Sequence, residues 1–450
     1  MTDPEQNRFS ARAARYARVG ANMGGVAARM AGSRLLGQDG EAANAAALTR
    51  ALGGLKGPLM KVAQLLSTIP DALPAKYAEA LSKLQNEAPP MGAGFVNRRL
   101  MAELGPGWRE RFGSFDLKPS AAASLGQVHR ATTHAGAPLA CKLQYPDMAS
   151  AVEADLAQLD MLFALHRRMS PAIDGRDAVK EIGARVREEL DYGREARHAR
   201  LYALMLREVD EVRVPAIHED LSTDRLLTMA WLDGGRLLDF REATLATRNL
   251  IATAMFKAWW LPFSRFGVIH GDPHLGNYTV RQAYDEVAGI NLLDYGCVRI
   301  FPPAFVSGVV DLYEGLRGDD RARIVHAYET WGFRGLSKAL IDTLNIWARF
   351  IYGPILDDRV RTVANGVEPG KYGRREAFQV HSALKKLGPV KVPREFVFMD
   401  RAAVGLGAVF LHLRAELNFF QLFNEAIAGF AVNALAKRQK DALSEIGLKA

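Results

Sequence analysis

The sequence predicts an α+β protein with two lobes and an all-helical region in front of them. The chain of 450 residues is too long for one compact core. Helical periodicity fills the first hundred residues, and short β-like segments follow at 112–146. The pattern from 245 onward is mostly helical. We therefore predict a basic segment at 1–40, a helical region at 41–110, a mixed lobe at 111–231 and a helical lobe at 232–450.

Composition places the chain among ordinary globular proteins, with 49% hydrophobic and 24% charged residues. The formal net charge of +8 fits a nucleic acid, a membrane surface or a phosphate ligand equally well. Because the arginines are spread out, with no stripe of interleaved aromatic residues, we expect no nucleic-acid partner. Cys141 and Cys297 are far apart, and the N-terminus lacks an apolar signal-like stretch. Both features indicate a cytoplasmic protein.

The segment 8–34 carries six arginines and no acidic residue. Phe9, Tyr16, Met23 and Met30 recur every seven residues and would share one helix face. Such a helix is typical of segments that lie on an anionic membrane surface. The alternative is a solvated helix that docks on its own protein through its small residues.

The apolar stretch 403–430 is the nearest in the sequence to a membrane span. Arg414, Glu416 and Glu425 interrupt it. We therefore expect buried amphipathic helices here and no spanning segment.

The stretch HGDPHLGN carries polar groups that a core segment would not contain. Asp272 and Asn277 are five positions apart, and Asp294 follows at the end of the apolar run NLLDYG. Phosphoryl transfer from a nucleotide needs a carboxylate beside the acceptor and oxygen ligands for Mg²⁺. Protein kinases space these groups in the same way. Asp272 therefore fits the acceptor-facing carboxylate, and Asn277 and Asp294 fit the Mg²⁺ ligands.

A cation for the phosphates is expected on an upstream strand. The segment LACK matches the kinase pattern V-A-I-K and ends in Lys142. Its carboxylate partner should come from the following helical stretch, where EELDYGREA supplies Glu189, Asp191 and Glu195. Either glutamate could reach Lys142, and the sequence leaves both open.

Each of these residues also has an ordinary interpretation when it is taken singly. Asp272 could cap a helix, Asn277 could stabilise a turn, and Lys142 could lie on the surface of a strand. His270 and His274 suggest zinc, but no third ligand stands at a suitable spacing, so a structural role for His270 is favoured. The groups nevertheless occur in kinase order along the chain, which predicts a bilobal protein-kinase-like fold with a small mixed N-lobe and a helical C-lobe.

The phosphate loop departs from the ordinary kinase pattern. Where G-x-G-x-x-G should precede the lysine strand, the sequence has Ala121, Ala122, Ala123 and Ser124. Alanines cannot adopt the positive φ angles that glycine allows, so nucleotide should be held differently here. The alternative is a helix N-terminus after Pro119 with Ser120 as its cap.

These motifs resemble the UbiB (AarF) family of atypical kinases. The resemblance rests on AAAS, ELDYGREA, HGDPHLGN and LLDYG, and it covers about residues 45–430. The segments KVAQ at 61–64 and LQNEAPP at 84–90 are similar to the family's K-x-G-Q element and the residues after it. Ala63, Leu275 and Tyr295 depart from the usual Gly, Pro and Phe. None of these changes removes a charged group, so the chemistry is expected to survive.

The resemblance implies that the K-x-G-Q helix folds over the active site. Lys61 and Gln64 would then lie beside Glu189, Glu195 and Asp294, where a protein substrate would otherwise bind. The alternative is an exposed helix lysine. The resemblance also implies that the nucleotide base meets an inter-lobe hinge, which corresponds here to Met229, Ala230, Trp231 and Leu232.

The implied function is an atypical kinase or ATPase that uses ATP or ADP with Mg²⁺ and supports isoprenoid quinone (ubiquinone) biosynthesis. Its partners would be a membrane lipid or quinone precursor and other quinone-biosynthesis proteins, at the inner face of a membrane. Two alternatives remain. One is a small-molecule phosphotransferase of the aminoglycoside or choline kinase type, and the other is a nucleotide-binding scaffold with little turnover.

Overall fold

The computed structural model describes residues 91–448, apart from 124, 154–155, 158–175, 285 and 388–392. The basic segment and the part of the predicted helical region before residue 91 lie outside these residues. The chain divides into two compact units. The first holds the described residues up to Arg194 together with Ile217–Trp231, and the second holds Glu195–Ala216 and the chain from Leu232 onward. The domain limits predicted from the sequence stay a prediction.

The strands are short and the helices dominate the second unit. In chain order the elements are α1 (Ala93–Leu104), β1 (Ser114–Phe115), β2 (Ala121–Ala123), β3 (Gly126–Thr132), β4 (Pro138–Gln144), α2 (Arg176–Glu189), α3 (Tyr192–Met205), β5 (Val212–Arg213), β6 (Leu226–Ala230), α4 (Leu245–Phe266), β7 (Val268–His270), β8 (Tyr278–Ala283), β9 (Glu286–Leu292), β10 (Val298–Ile300), α5 (Pro303–Gly318), α6 (Arg321–Thr330), α7 (Lys338–Tyr352), α8 (Arg374–Leu387), α9 (Arg394–Leu413), α10 (Phe419–Ala426) and α11 (Val432–Ile446).

The first unit is built on a five-stranded antiparallel sheet. Its order is β1-β3-β4-β6, with β2 beside β3. Lys142 on β4 lies opposite Val128 on one side and Leu227 on the other. Because side chains alternate along a strand, Cys141 and Leu143 point to the opposite face from Lys142. The sheet therefore has one apolar face and one face that carries the lysine.

Helix α1 belongs to the core on the apolar face. Val96 and Leu100 are fully buried in one hydrophobic cluster with Cys141 and Leu143. The other members of this cluster are Met91, Trp108, Phe112, Ala131, Leu139, Leu221 and Leu226. Helix α1, which is the described helix of the region before the sheet, is thus part of the core that supports the lysine strand.

Buried polar contacts join α1 to the strand ends. Arg99 is 3% exposed and donates to the carbonyl oxygens of Gln144 at 3.2 Å and Tyr145 at 3.0 Å. Its guanidinium also lies 3.6 Å from the Glu103 carboxylate, which pairs with Arg225 at 2.9 Å. A buried guanidinium is stable only when its donors are used, so these contacts hold α1 in one position.

The helical stretch expected after Lys142 is interrupted at the segment ELDYGREA, where α2 ends at Glu189 and α3 begins at Tyr192. The Asp191 carboxylate accepts a hydrogen bond from the backbone N–H of Arg194 at 2.7 Å. This is the N-cap arrangement that aspartate favours. The prediction of one helix for Glu189 and Glu195 is therefore wrong, and two helices carry them.

The second unit combines a mainly helical body with two small sheets. One sheet has the order β5-β9-β8 and the other pairs β7 with β10. Helix α4 ends at Gly267, whose φ of +65° is a left-handed conformation that suits glycine. A Cβ at this position would come within 2.6 Å of the Gln439 amide nitrogen. This tight turn leads α4 directly into β7 and the loop with Asp272.

The apolar stretch 403–430 forms two helices, as expected. Helix α9 ends at Leu413, and Arg414 adopts a left-handed φ of +49° before α10 begins. Within the ranges that the structure describes, no helix has the length and apolar character needed to cross a bilayer.

We predict that Arg99→Leu lowers the free energy of unfolding by about 2–3 kcal/mol, because it leaves Glu103 buried with one partner fewer. The measurement is urea unfolding followed by circular dichroism. Arg98→Leu is the matched control, because Arg98 is exposed on the same helix. Equal stability of the two variants would contradict the role of Arg99.

Candidate active site

Lys142 lies in the middle of the sheet of the first unit, as the lysine motif predicted. The residue is only 9% exposed, and its ammonium lies 5.2 Å from the centre of the Tyr192 ring. Strands β3 and β6 flank it on both sides. The lysine is therefore largely shielded from solvent by its own sheet and the Tyr192 ring.

The alanine motif is a strand. Ala121–Ala123 pair with β3, and the backbone N–H of Ser120 donates to the Val128 carbonyl oxygen at 2.8 Å. The alternative of a helix N-terminus capped by Ser120 is therefore wrong. Ser124 lies outside the described residues. The alanine side chains are exposed or half-buried, so this strand offers a surface without large side chains.

Gly126 was not singled out in the sequence, although it shapes this hairpin. A Cβ at Gly126 would come within 2.3 Å of the Leu143 carbonyl oxygen. Only glycine allows β3 and β4 to approach so closely next to Lys142. The signal in the sequence was a glycine at the start of an alternating strand.

The predicted hinge follows the last strand of the same sheet. Met229 pairs with Ala140 on β4, and the backbone N–H of Trp231 donates to the Pro138 carbonyl oxygen at 3.0 Å. The Arg130 guanidinium lies 4.5 Å from the centre of the Trp231 ring. The segment is thus fixed up to Trp231, and Leu232 begins the second unit. Its contact with a nucleotide base stays a prediction.

In the second unit the structure brings Asp272 and Asn277 together. The Asn277 side-chain nitrogen donates to the Asp272 carboxylate and to its backbone oxygen, each at 3.1 Å. A 3₁₀ turn over Leu275–Asn277 sets this approach. Because both bonds use the nitrogen, the amide oxygen of Asn277 remains the group that can accept or bind a cation.

His270 connects this loop to Asp294. It is completely buried, and its Nε2 donates to the Asp294 carbonyl oxygen at 2.6 Å. Its Nδ1 faces the backbone N–H of Asp272 at 3.4 Å. This arrangement requires the tautomer with the proton on Nε2. Both ring nitrogens are used inside the protein, which agrees with the structural role expected for His270.

Asp294 lies where β9 has just ended. Its Oδ1 accepts from the backbone N–H of Gly296 at 3.1 Å, and the N–H of Leu293 donates to the Asn277 carbonyl oxygen at 2.9 Å. The two chain segments are therefore tied at adjacent residues. The oxygens of Asn277 and Asp294, with Asp272 nearby, fit Mg²⁺, which binds a few protein oxygens and completes its shell with phosphate and water.

Tyr295 is accommodated in place of the usual Phe by a hydrogen bond. It is 1% exposed, and its hydroxyl donates to the Leu292 carbonyl oxygen at 2.9 Å. Burial raises the pKa of this hydroxyl well above its ordinary value. His198 on α3 faces the Tyr295 carbonyl oxygen at 3.2 Å, and the Tyr202 ring centre lies 5.5 Å away. Neither α3 residue was identified from the sequence.

The two candidate glutamates differ in their surroundings. Glu195 lies in the first turn of α3 and is 3% exposed, whereas Glu189 ends α2 and is half-buried. The adjacent Glu188 pairs with Arg185 at 2.7 Å and with Arg194 at 3.3 Å. A buried carboxylate needs a partner, which favours Glu195 as a functional acid. Which glutamate pairs with Lys142 stays a prediction, and Lys61 and Gln64 lie outside the described residues.

Helix α9 contacts the Asp272 loop through a glycine. A Cβ at Gly405 would come within 2.3 Å of the Pro273 ring. Pro273 directly follows Asp272, so this contact limits where the loop can lie. The sequence contained Gly405 inside an apolar helix, which is a signal of close packing.

A family model described as the ABC1 atypical kinase-like domain matches residues 83–328, more than half of the chain. The chain belongs to this family. The matched range contains the lysine strand, both glutamates, the Asp272 loop and Asp294. The resemblance to UbiB (AarF) proteins and the kinase-like fold predicted from the sequence are therefore confirmed.

Relatives of known description agree with this assignment. The chain is 33% identical over 264 residues to AarF domain-containing protein kinase 1 of Mus musculus, covering 58% of this chain and 50% of that protein. It is 28% identical over 260 residues to atypical kinase COQ8, mitochondrial, of Saccharomyces cerevisiae, covering 58% and 51%. The matches thus span about half the length of these relatives.

A solved structure shares the fold over most of both chains. It is the complex of Rv3197 with erythromycin from Mycobacterium tuberculosis, with a TM-score of 0.61 and 30% sequence identity. The match covers 84% of this chain and 94% of that one.

Two tyrosines beside His270 should respond oppositely to loss of the hydroxyl. The Tyr202 hydroxyl is buried and has no hydrogen-bond partner in the described part of the chain. Tyr202→Phe should therefore leave stability unchanged or raise it by up to about 1 kcal/mol, whereas Tyr295→Phe should cost about 1 kcal/mol. Thermal and urea unfolding measure both. A larger loss for Tyr202→Phe than for Tyr295→Phe would contradict this arrangement.

The contact between Gly405 and Pro273 gives another prediction. Gly405→Ala should destabilise the protein by about 1–3 kcal/mol, because the added methyl group overlaps the proline ring. Gly318→Ala is the control, since a Cβ at the end of α5 meets no atom within 4 Å. Differential scanning calorimetry compares the two. A neutral Gly405→Ala would show that α9 does not limit the loop.

Proposed function

We propose that this chain binds a Mg²⁺-nucleotide and acts as an atypical kinase or ATPase. The observation that carries the proposal is the hydrogen-bonded set around His270. Asn277 holds the Asp272 carboxylate at 3.1 Å, and His270 holds the Asp294 backbone at 2.6 Å. These residues have the spacing of the corresponding kinase residues in the sequence. Phosphoryl transfer needs one carboxylate that orients the acceptor and separate oxygen ligands for the metal, and these residues could supply both.

Each residue has a distinct role in the proposal. Asp272 orients the acceptor hydroxyl or water and accepts its proton. The amide oxygen of Asn277 and the carboxylate of Asp294 would hold Mg²⁺, which neutralises charge on the phosphates. Lys142 binds the phosphates and is held by Glu189 or Glu195. The strand Ala121–Ala123, with Ser124, covers the phosphates, and Met229, Ala230, Trp231 and Leu232 receive the base.

The pathway is proposed from the relatives. COQ8 of Saccharomyces cerevisiae is named a mitochondrial atypical kinase, and Arabidopsis thaliana has a chloroplastic relative named for the activity of the bc1 complex. We therefore propose a role in isoprenoid quinone (ubiquinone) biosynthesis. The acceptor or effector would be a membrane lipid or quinone precursor, with quinone-biosynthesis proteins as partners. The basic segment 8–34 would bring the chain to an anionic inner membrane face.

In this proposal the K-x-G-Q-like element restricts access of substrates to the active site. Lys61 and Gln64 would lie beside the acidic groups of the site and exclude a protein substrate. A lysine held by carboxylates in a partly dry site is electrostatically reasonable. This arrangement favours hydrolysis or a small acceptor over transfer to proteins.

A soluble small molecule is the second candidate acceptor. The Mycobacterium tuberculosis relative is described in complex with erythromycin, a small organic ligand. A phosphotransferase of the aminoglycoside or choline kinase type would act on such molecules. Dependence on lipid distinguishes the two candidates, and a scaffold would bind nucleotide with little turnover.

The test is hydrolysis of Mg²⁺-ATP and Mg²⁺-ADP by the purified chain, with and without anionic liposomes that carry a quinone-precursor mimic. We expect turnover that rises with the liposomes. Asp294→Asn should reduce it by roughly 100-fold or more, because the metal ligand loses its charge. Asp319→Asn is the matched control, since that carboxylate is 92% exposed and asparagine tolerates its left-handed conformation.

The outcomes separate the candidates. Unchanged turnover in Asp294→Asn would show that the proposed metal ligand is wrong. Turnover that ignores the liposomes would instead favour a soluble acceptor. Nucleotide binding with no turnover under either condition would indicate the scaffold.

A further inference from the structure

The helical unit contains a cavity whose lining includes none of the residues assigned to nucleotide binding. It has a volume of about 80 Å³ and lies among helices α4, α5, α6, α7 and α9. Its floor is apolar and buried, with Val309, Leu344, Tyr352 and Leu406 among its lining residues. An apolar space of this kind stays dry unless a ligand fills it.

The mouth of the cavity has a different character. Trp347, Ile351, Phe396 and Ala403 line it and are half-buried. Asp400 lies among them, and its carboxyl group is enclosed by the surrounding side chains. A molecule can therefore enter with an apolar end first and keep a polar end near Asp400.

Asp400 is the acidic group of this cavity. The Trp347 indole N–H donates to its Oδ2 at 2.8 Å, and this is the only hydrogen bond of the Asp400 carboxyl group among the residues that the structure describes. Burial raises the pKa of this carboxyl to about 7. Arg349 pairs with Asp319 at 3.5 Å and is not bonded to Asp400. A carboxylate with spare acceptor capacity in apolar surroundings gains from a ligand that donates a hydrogen bond.

We propose that this cavity binds the branched alkyl end of a small amphiphilic molecule, whose hydroxyl or ammonium group donates a hydrogen bond to Asp400. The volume sets the size of the apolar end, since it is smaller than the roughly 150 Å³ cavity that holds benzene. Because benzene needs that larger cavity, this space holds a smaller branched group of about three carbons, such as an isopropyl end. The site is separate from the residues assigned to nucleotide binding, so it does not depend on the proposed activity.

Three matched probes test the chemistry. 3-Methylbutan-1-ol and 3-methylbutylamine carry the alkyl group with a donor, and the methyl ether of the alcohol carries the same group without one. Saturation-transfer NMR on the full chain detects binding through the ligand methyl groups. We expect dissociation constants on the order of millimolar for such small ligands. The ether should bind at least several-fold more weakly than the alcohol and the amine.

Variants on helix α9 test whether the probes bind in this cavity. Ala403→Phe should fill the mouth and abolish the saturation signal of all three probes. Ala408→Leu, also on α9 but not on the cavity wall, should leave the signal unchanged. Asp400→Asn should remove the preference for the alcohol over the ether, because the amide can donate to either oxygen, and it should weaken the amine most.

Two results would overturn the proposal. One is equal binding of the alcohol and the ether to the unaltered chain, which requires no variant to fold. The other is an undiminished signal in a folded Ala403→Phe protein, which would place the probes elsewhere.

Discussion

The hydrogen bond from His270 Nε2 to the Asp294 backbone oxygen, at 2.6 Å, is the contact on which the candidate site depends. It crosses between two segments that are 24 residues apart in the chain. Because His270 is fully buried, the bond is protected from water and its loss would leave two buried polar groups without partners. The bond therefore keeps Asp272 and Asp294 in a common frame.

The residues packed around His270 explain why Asp272 and Asp294 keep a fixed relative position. The ring lies 5.1 Å from Trp259 and 6.0 Å from Tyr202, measured between ring centres. The turn at Gly267 positions β7, and Gly405 limits Pro273 from the other helix. Both glycines are needed because any side chain would meet neighbouring atoms. The position of the Asp272 loop is thus set by packing against neighbouring side chains as well as by the hydrogen bonds within its motif.

In the first unit, the lysine strand depends on a helix that precedes the sheet. Helix α1 contributes Val96 and Leu100 to the core beneath β4, and Arg99 binds the carbonyl oxygens at the end of that strand. The same helix follows the segment that carries the K-x-G-Q-like element. The predicted helical region, from residue 91 onward, is therefore a structural part of the first unit.

The cavity beside Asp400 adds a second kind of site to the helical unit. Helix α9 lines it with Asp400, Ala403 and Leu406, and the same helix contacts Pro273 through Gly405. One helix thus borders both the cavity and the loop that carries Asp272.

The sequence predicts much of the candidate nucleotide site, because its residues belong to motifs of fixed spacing that lie on short loops. Asp272, Asn277 and Asp294 are singled out in this way, and hydrogen bonds connect their segments in the structure, while their catalytic and metal-binding roles stay predictions. Helix α1 and strands β3 and β4 followed from periodicity. The break at Asp191 was missed because the helical pattern on both sides hides a capping residue.

Other features could not be predicted because they depend on distant partners. Gly126 and Gly405 matter only through the atoms that face them, and periodicity does not reveal those atoms. The alanine motif was ambiguous, since alanine is compatible with a loop, a helix or a strand. Tyr202 and His198 looked like ordinary helix residues until the fold placed them around Tyr295.

The most direct test of the central claim is a crystal structure of the chain with Mn²⁺ in place of Mg²⁺ and a nucleotide, in which anomalous scattering locates the metal. The account predicts a manganese ion bound by the Asn277 amide oxygen and the Asp294 carboxylate, at roughly 2.0–2.2 Å. Asp272 should face the terminal phosphate without binding the metal. A nucleotide bound with its metal away from Asn277 and Asp294 would contradict the account.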